Sequence, residues 1–301
     1  MAGRLGRRRG AVLLLLGACA LQPAWPANPP GDLAIRIERG RYLVHAGGCL
    51  TCHTADRPGA IPLAGGRALS TPFGVFYPPN LTPDPVTGLG GWTDADFGRA
   101  LRDGVAPDGS NYYPVFPYPA YTGLTDIDVA AIAAYLRSLK PVRQPTPPHE
   151  LPWYLSSRWV MLGWNLFNFS AGRFTKDPSH DATWNRGAYL VRHLGHCGEC
   201  HTPRNAFGGL DRSRDLSGSP SGPDGKKVPN ITQDEAAGIG RWSADEIELF
   251  LEIGLLPNGD FAGSSMSAVI EDNTSKLTSP DRAAIATYLQ SLGPARSRQL
   301  P

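Results

Sequence analysis

The sequence predicts an all-α fold built as a tandem duplication of two small helical domains, and three observations carry that prediction. Residues recur along the chain at an offset near 150. Each copy holds three segments with helical start signals and helically spaced apolar residues. No segment shows sustained apolar–polar alternation, so strands should be few. The 301 residues suffice for two such domains, each with its own core, and 35 glycines and 29 prolines foretell long loops between the helices.

In chain order, the first feature is MAGRLGRRRGAVLLLLGACALQ. Arg4, Arg7, Arg8 and Arg9 precede a short apolar core, Ala11–Ala18, which is too short to span a bilayer and reads as an export signal over residues 1–20. Two ends for that signal compete. Cleavage after Ala20 satisfies the small-x-small rule through Ala18-Cys19-Ala20. Leu16-Gly17-Ala18-Cys19 instead has the form of a lipoprotein box, which would end the signal before Cys19 and leave that cysteine lipidated. The expected location is the periplasm in both cases, with a lipid anchor to the membrane in the second. Without the four signal arginines, 25 basic residues face 27 acidic ones. No basic run remains that would grip nucleic acid. The longest later apolar stretch, Trp159–Phe169, has 11 residues, two of them asparagines, and falls short of a membrane span.

The first repeat is assigned to residues 32–142. Its opening helix, about Ala34–Ala46, contains Arg39-Gly40 and Tyr42-Leu43-Val44. These match Arg186-Gly187 and Tyr189-Leu190-Val191 in a helix expected over Arg186–Gly195. Further on, Pro79-Asn80, Thr82, Asp84, Gly88, Gly90 and Trp92 pair with Pro229-Asn230, Thr232, Asp234, Gly238, Gly240 and Trp242. A middle helix starts at Thr93 in one copy and at Ser243 in the other, the latter with Glu246 in capping-box position. A last helix starts at Thr125 or Thr278, where LTDIDVAAIAAYLRSL (124–139) matches LTSPDRAAIATYLQSL (277–292). Val129, Ile132, Ala133, Leu136 and Leu139 line one face of it, and Pro141 and Gly293-Pro294 close the two copies. Between the repeats, residues 143–183 form a Pro-rich linker, which the prolines of PVRQPTPPHELPW (141–153) make extended and stiff. It leads into RWVMLGWNLFNF (158–169), which belongs to neither repeat and reads as an aromatic brace between the domains or as a docking face for a partner or membrane. The second repeat occupies 184–294, and 295–301 is a tail.

Five cysteines are present, and Cys19 lies in the signal. The other four fall in Cys49-Leu50-Thr51-Cys52-His53 and Cys197-Gly198-Glu199-Cys200-His201. Both are C-x-x-C-H, the attachment signature of c-type haem. Two thiols three positions apart reach the two vinyl groups on one side of a porphyrin, and the following histidine lies beneath the iron and supplies an axial nitrogen. One such pentapeptide could equally be a redox-active C-x-x-C or half a zinc site. Two copies, both ending in histidine behind an export signal, select covalent haem. Cys49, Cys52, Cys197 and Cys200 are therefore expected to attach two haem c groups, one per domain, with His53 ligating the first iron and His201 the second.

A haem that carries electrons needs a sixth ligand, and His/Met ligation raises its potential. Met266, one of three methionines, follows the second pentapeptide by 65 residues on what reads as a loop, and it is the expected ligand of the second iron. The matching position in the first repeat is Phe116, which cannot ligate. Three explanations stay open. Met161 swings in from the linker segment; or another donor serves, among His45, His149, Tyr112, Tyr113, Tyr118 and Tyr121; or the position is vacant and the iron five-coordinate. Met161 is the other methionine beyond the signal, although a buried Met is also ordinary core filling. The reading adopted is a ligand from outside the loop. His193 and His196 beside the second pentapeptide read as solvated or structural.

LAGGRALSTPFGVFYPPNLTPDPVTGLGGW (63–92), YPVFPY (113–118) and WNRGAYLVRHLGHCGECHTPRN (184–205) together resemble the cytochrome c subunits of bacterial periplasmic alcohol, aldehyde and gluconate dehydrogenase complexes. The resemblance covers nearly the whole chain past the signal. It implies all-α cytochrome c domains and an electron-transfer subunit. It also implies a catalytic dehydrogenase partner, of molybdenum or quinoprotein type, and a downstream acceptor: quinone, a soluble carrier or a terminal oxidase. Two departures stand out. The best-known members have three haem domains and a C-terminal membrane anchor, whereas this sequence ends at Pro301 after two. Members with methionine in the first repeat read YPAMPY where this chain has YPVFPY. A two-haem form resembles the subunits paired with molybdenum-containing aldehyde or N-heterocycle dehydrogenases. The competing function is a redox enzyme acting at an unusually ligated first haem, thiosulfate dehydrogenase-like or peroxidase-like, and a gas sensor is a third. No nucleophile–base grouping or phosphate loop is visible, so no catalytic residue is assigned.

Overall fold

The computed structural model describes residues 30–222 and 225–295. The expected export signal with Cys19, and the tail from residue 296, lie outside the described residues. Helix α1 (Pro30–Ala46) runs into the short α2 (Cys49–His53), and a hairpin of two three-residue strands follows, β1 (Leu69–Thr71) and β2 (Gly74–Phe76). These strands are antiparallel, with Leu69 opposite Phe76. Then come α3 (Asp94–Asp103), α4 (Tyr118–Tyr121), α5 (Asp126–Ser138) and α6 (Val160–Asn168). The chain continues through α7 (Ala182–Tyr189), α8 (Gly198–His201), α9 (Ala244–Ile253), α10 (Ser265–Asp272) and α11 (Ser279–Gln290).

The helix starts lie where their capping residues fix them. Thr93 and Ser243 each complete a reciprocal capping box with Asp96 and Glu246, and left-handed Gly104 and Gly254 end the same two helices. Thr125 and Thr278 accept from the backbone N–H of Asp128 and Asp281. Two boundaries depart from expectation, and the first is the opening helix, anticipated from about Ala34, which begins at Pro30. The helix anticipated over Arg186–Gly195 begins earlier, at Ala182 behind the Asp181 cap. It ends in a π-type turn over Leu190–Leu194, closed by Gly195 N–H donating to Leu190 O at 2.7 Å.

Two helix crossings organise the core. α1 crosses α5 at Gly40, and α7 crosses α11 at Gly187. A Cβ on either glycine would stand 1.9 Å from a carbonyl oxygen of the facing helix, Ala131 or Ala284. Around the crossings Leu43, Val44, Val129, Leu190, Val191 and Leu194 are almost completely buried in one continuous core.

Polar contacts then tie the two helix pairs to each other reciprocally. Asp128 accepts twice from Arg39, at 2.9 and 2.6 Å, and once from Tyr189 of the other half at 2.5 Å. Asp281 accepts twice from Arg186, at 2.8 and 2.6 Å, and once from Tyr42 at 2.5 Å. In the same reciprocal manner, His45 Nδ1 bonds Asp272 O and His193 Nδ1 bonds Ala120 O. His193 is therefore structural, and so is His196, whose Nε2 bonds Gly47 O at 3.2 Å.

α6 is a brace on one side only. Its Asn165 accepts from Tyr118, its Trp164 indole donates to Phe207 O at 2.8 Å, and Asn168 accepts from Asn205. Those bonds reach both halves. Its outer side leaves Leu162, Leu166 and Phe167 in solvent, the last 84 % exposed. No helix among the described residues is long and apolar enough to cross a membrane.

Candidate functional site

Each C-x-x-C-H segment sits on a short helix, α2 or α8, directly after the long helix that crosses its partner. Backbone bonds hold the segments' C-terminal ends: Gly65 N–H donates to His53 O and Gly218 N–H to His201 O, both at 2.7 Å. Each imidazole is fixed as well. His53 Nδ1–H donates to Pro79 O at 2.7 Å and His201 Nδ1–H to Pro229 O at 2.8 Å. That bond places the ring proton on Nδ1 and leaves Nε2 as a bare nitrogen with a lone pair. Burial pushes His53 down to about 4 and lowers His201 as well, so both rings are neutral near pH 7.

Cys49, Cys52, His53, Cys197, Cys200 and His201 all line one continuous cavity of about 2810 Å³. Ordinary small-molecule pockets span roughly 300–1,000 Å³, so this space suits more than one large cofactor. The four cysteines carry no disulfide. Burial pushes Cys49 and Cys197 up to about 12 and Cys200 to about 11, and raises Cys52. A redox-active C-x-x-C works through a lowered thiol pKa, which this burial disfavours. Among the described residues no group of three or more His, Cys, Asp or Glu is placed to hold a metal ion. Paired thiols beside a histidine with a free Nε2, in an apolar cavity, are the donor set that covalent haem requires.

Met266 lines the same cavity. It is not on a loop, as the sequence suggested, but is the second residue of α10, which follows Ser264 at a positive φ of 61°. Phe116 occupies the corresponding stretch of the first half, its ring set edge-on to Tyr112 and Tyr121 at 5.4 and 5.8 Å. Met161, on α6, is 5 % exposed, packs with Phe76 and Tyr113, and also lines the cavity. His45 is not at the cavity wall; it bonds Asp272 O.

Two features escaped sequence reasoning. The Pro79 and Pro229 carbonyls orient the histidines; the Pro-Asn pairs are visible as repeats, but nothing in them announces a backbone acceptor. The other is a junction between the two segments, where Tyr121 OH and His196 Nε2 both bond Gly47 O, at 2.7 and 3.2 Å.

Comparison with known proteins agrees with this geometry. A cytochrome c family model matches residues 37–140. A protein named diheme cytochrome c-type from Cereibacter sphaeroides is 41% identical, over 93% of this chain and 95% of its own length. The fructose dehydrogenase cytochrome subunit of Gluconobacter japonicus is 40% identical over 95% of this chain. A nicotinate dehydrogenase subunit from Pseudomonas putida is 39% identical over 95% of it. The chain spans 58% of the former's length and 24% of the latter's. With two C-x-x-C-H segments opening into one cavity and this extent of similarity, the chain belongs to the dihaem c-type cytochromes and carries two haem c groups for electron transfer.

Proposed function

We propose that this cytochrome takes electrons from a catalytic dehydrogenase partner and passes them to quinone, a soluble carrier or a terminal oxidase. The observation that carries the reading is the single cavity shared by both C-x-x-C-H segments, which suits relay between two centres inside one chain. In this reading residues 32–142 and 184–294 are tandem cytochrome c domains with one haem each. Residues 143–183 link them, and residues 1–20 direct export to the periplasm.

Cys49 and Cys52 form the thioether links of one group and Cys197 and Cys200 those of the other. When bound, haem c supplies an iron that cycles between ferric and ferrous states. His53 and His201 would present Nε2 to the two irons, with their rings oriented by Pro79 O and Pro229 O. Met266, which lines the same cavity, would supply the sixth ligand of the second iron. The apolar walls, Phe97, Leu136, Ile247 and Leu251 among them, exclude water, which favours the less charged ferrous state. Two relatives are named for a fructose and a nicotinate dehydrogenase, which supports a dehydrogenase partner for this chain.

The test is to mix ferrous holoprotein with a quinone and with a soluble cytochrome acceptor, and separately to give thiosulfate to the ferric protein with an artificial electron acceptor and peroxide to the ferrous protein with an artificial electron donor. The relay reading predicts reoxidation of both haems by quinone or carrier and no catalytic turnover of the small substrates. Sustained turnover of thiosulfate or peroxide would replace it with an enzymatic function at the first haem.

A further inference from the structure

We propose that Met161, supplied by α6 from outside the first half, is the sixth ligand of the iron held by His53. The inference rests on the dihaem reading above and adds a metal ligand to it.

The position that Met266 fills in the second half is closed to chemistry in the first, because Phe116 has no donor atom. The structure brings α6 against that same stretch. Arg158, just before α6, lies over the rings of Tyr112 and Tyr113 at 5.7 and 5.5 Å. Tyr113 packs in turn against Met161. The far end of α6 is held by the Tyr118–Asn165 and Trp164–Phe207 bonds. A helix anchored at both ends thus presents one thioether to the cavity wall that adjoins the 112–116 stretch, in the cavity that His53 also lines.

The other donors near that wall are committed elsewhere. Tyr113 OH donates to Leu155 O, Tyr118 OH to Asn165 Oδ1 and Tyr121 OH to Gly47 O. Burial pushes the Tyr112 phenol up to about 12, so it stays protonated. His149 Nδ1 accepts the backbone N–H of Tyr77 at 3.2 Å, so a neutral ring carries its proton on Nε2 and offers no free lone pair. His45 is bonded to Asp272 O, away from the cavity. The Met161 sulfur has no such engagement and lies among apolar side chains, where a thioether bound to iron loses nothing.

The experiment compares wild-type holoprotein with Met161→Leu, a swap close in volume, and with Met266→Leu. Three readouts are used: carbon monoxide binding to ferrous haem, the thioether-to-iron charge-transfer absorption of the ferric protein, and covalent haem per chain by mass. Wild type should bind no carbon monoxide. Met161→Leu should bind it at about half of its haem and lose about half the charge-transfer absorption, Met266→Leu should do the same at the other half, and Met161→His should close the site again at a lower potential. For wild type alone, two sets of ring-current-shifted methionine methyl resonances are expected in the reduced protein, a readout that needs no variant to fold. One set, or carbon monoxide binding by half the wild-type haem, or a Met161→Leu protein indistinguishable from wild type, would overturn the assignment. Failure of the underlying dihaem reading would appear separately, as fewer than two covalent haems per chain.

Discussion

At the scale of single residues, the Pro79 and Pro229 carbonyls decide what His53 and His201 can do. By accepting from Nδ1 they fix the tautomer and leave Nε2 with a free lone pair. The two C-x-x-C-H segments beside them stand out at once in the sequence, because their thiol spacing and trailing histidine match the dimensions of a porphyrin. Met161 is legible only as a methionine without a partner. A donor on a separate helix some 45 positions beyond Phe116 leaves no local spacing to read. The carbonyls are not legible at all, since a backbone acceptor has no residue-type signature. The independence of the two attachment segments makes a prediction here. Replacing Cys49 and Cys52 together by alanine should remove one covalent haem and keep the other, read as intact mass and as a halved haem absorbance. Loss of both haems would mean that the second site cannot form without the first.

At the scale of elements, Gly40 and Gly187 let two helix pairs cross at backbone contact. Their repetition in an Arg-Gly pair is visible in the sequence, but their purpose needs the facing carbonyls. Gly40→Ala or Gly187→Ala puts a methyl 1.9 Å from an oxygen and must push the helices apart. Overpacking of this kind costs roughly 1–3 kcal/mol, to be read as a lowered denaturant midpoint with an unchanged slope. An unchanged midpoint would mean that the crossing tolerates a wider separation. The capped helices can be read from sequence because Thr93, Ser243, Thr125 and Thr278 satisfy backbone donors with their own oxygens. α10 reads as a loop because its N-cap, Ser264, makes no side-chain cap bond. The π-type turn before α8 likewise has no marker in its residue types.

At the scale of the whole molecule, the two halves hold each other through swapped partners, with Asp128 and Asp281 each taking an arginine from their own half and a tyrosine from the other. The pairing of repeats holds no hint of this exchange, because it depends on how the halves face each other. Burial raises the Asp281 pKa, but the bonds from Arg186 and Tyr42 outweigh it and hold the carboxyl below its ordinary range. A depressed carboxylate contributes stability above its unfolded pKa and loses it as pH falls through the folded value. The Asp281 contribution should therefore be constant from neutral pH down to about 4 and fade only below that. Asp281→Asn should lower stability at pH 7 by about 2 kcal/mol, the scale of hydrogen bonds to a charged group, and should flatten the acid limb of the stability–pH curve. An acid limb identical to wild type would place that loss in other carboxylates. Removing only the crossing bonds, in a Tyr42→Phe, Tyr189→Phe double variant, should weaken the coupling between halves and split a single thermal transition into two. A single unsplit transition would show that the shared apolar core couples the halves without them.

Because both attachment segments open into one cavity, electrons should pass between the two centres within the chain. The direct measurement is to inject less than one electron per chain into the fully oxidised holoprotein with a fast reductant pulse, and to follow absorbance as the two haems equilibrate. A relay inside one molecule predicts a first-order redistribution whose rate does not change when the protein is diluted. A redistribution rate proportional to protein concentration would show that electrons cross only between molecules, and would contradict it.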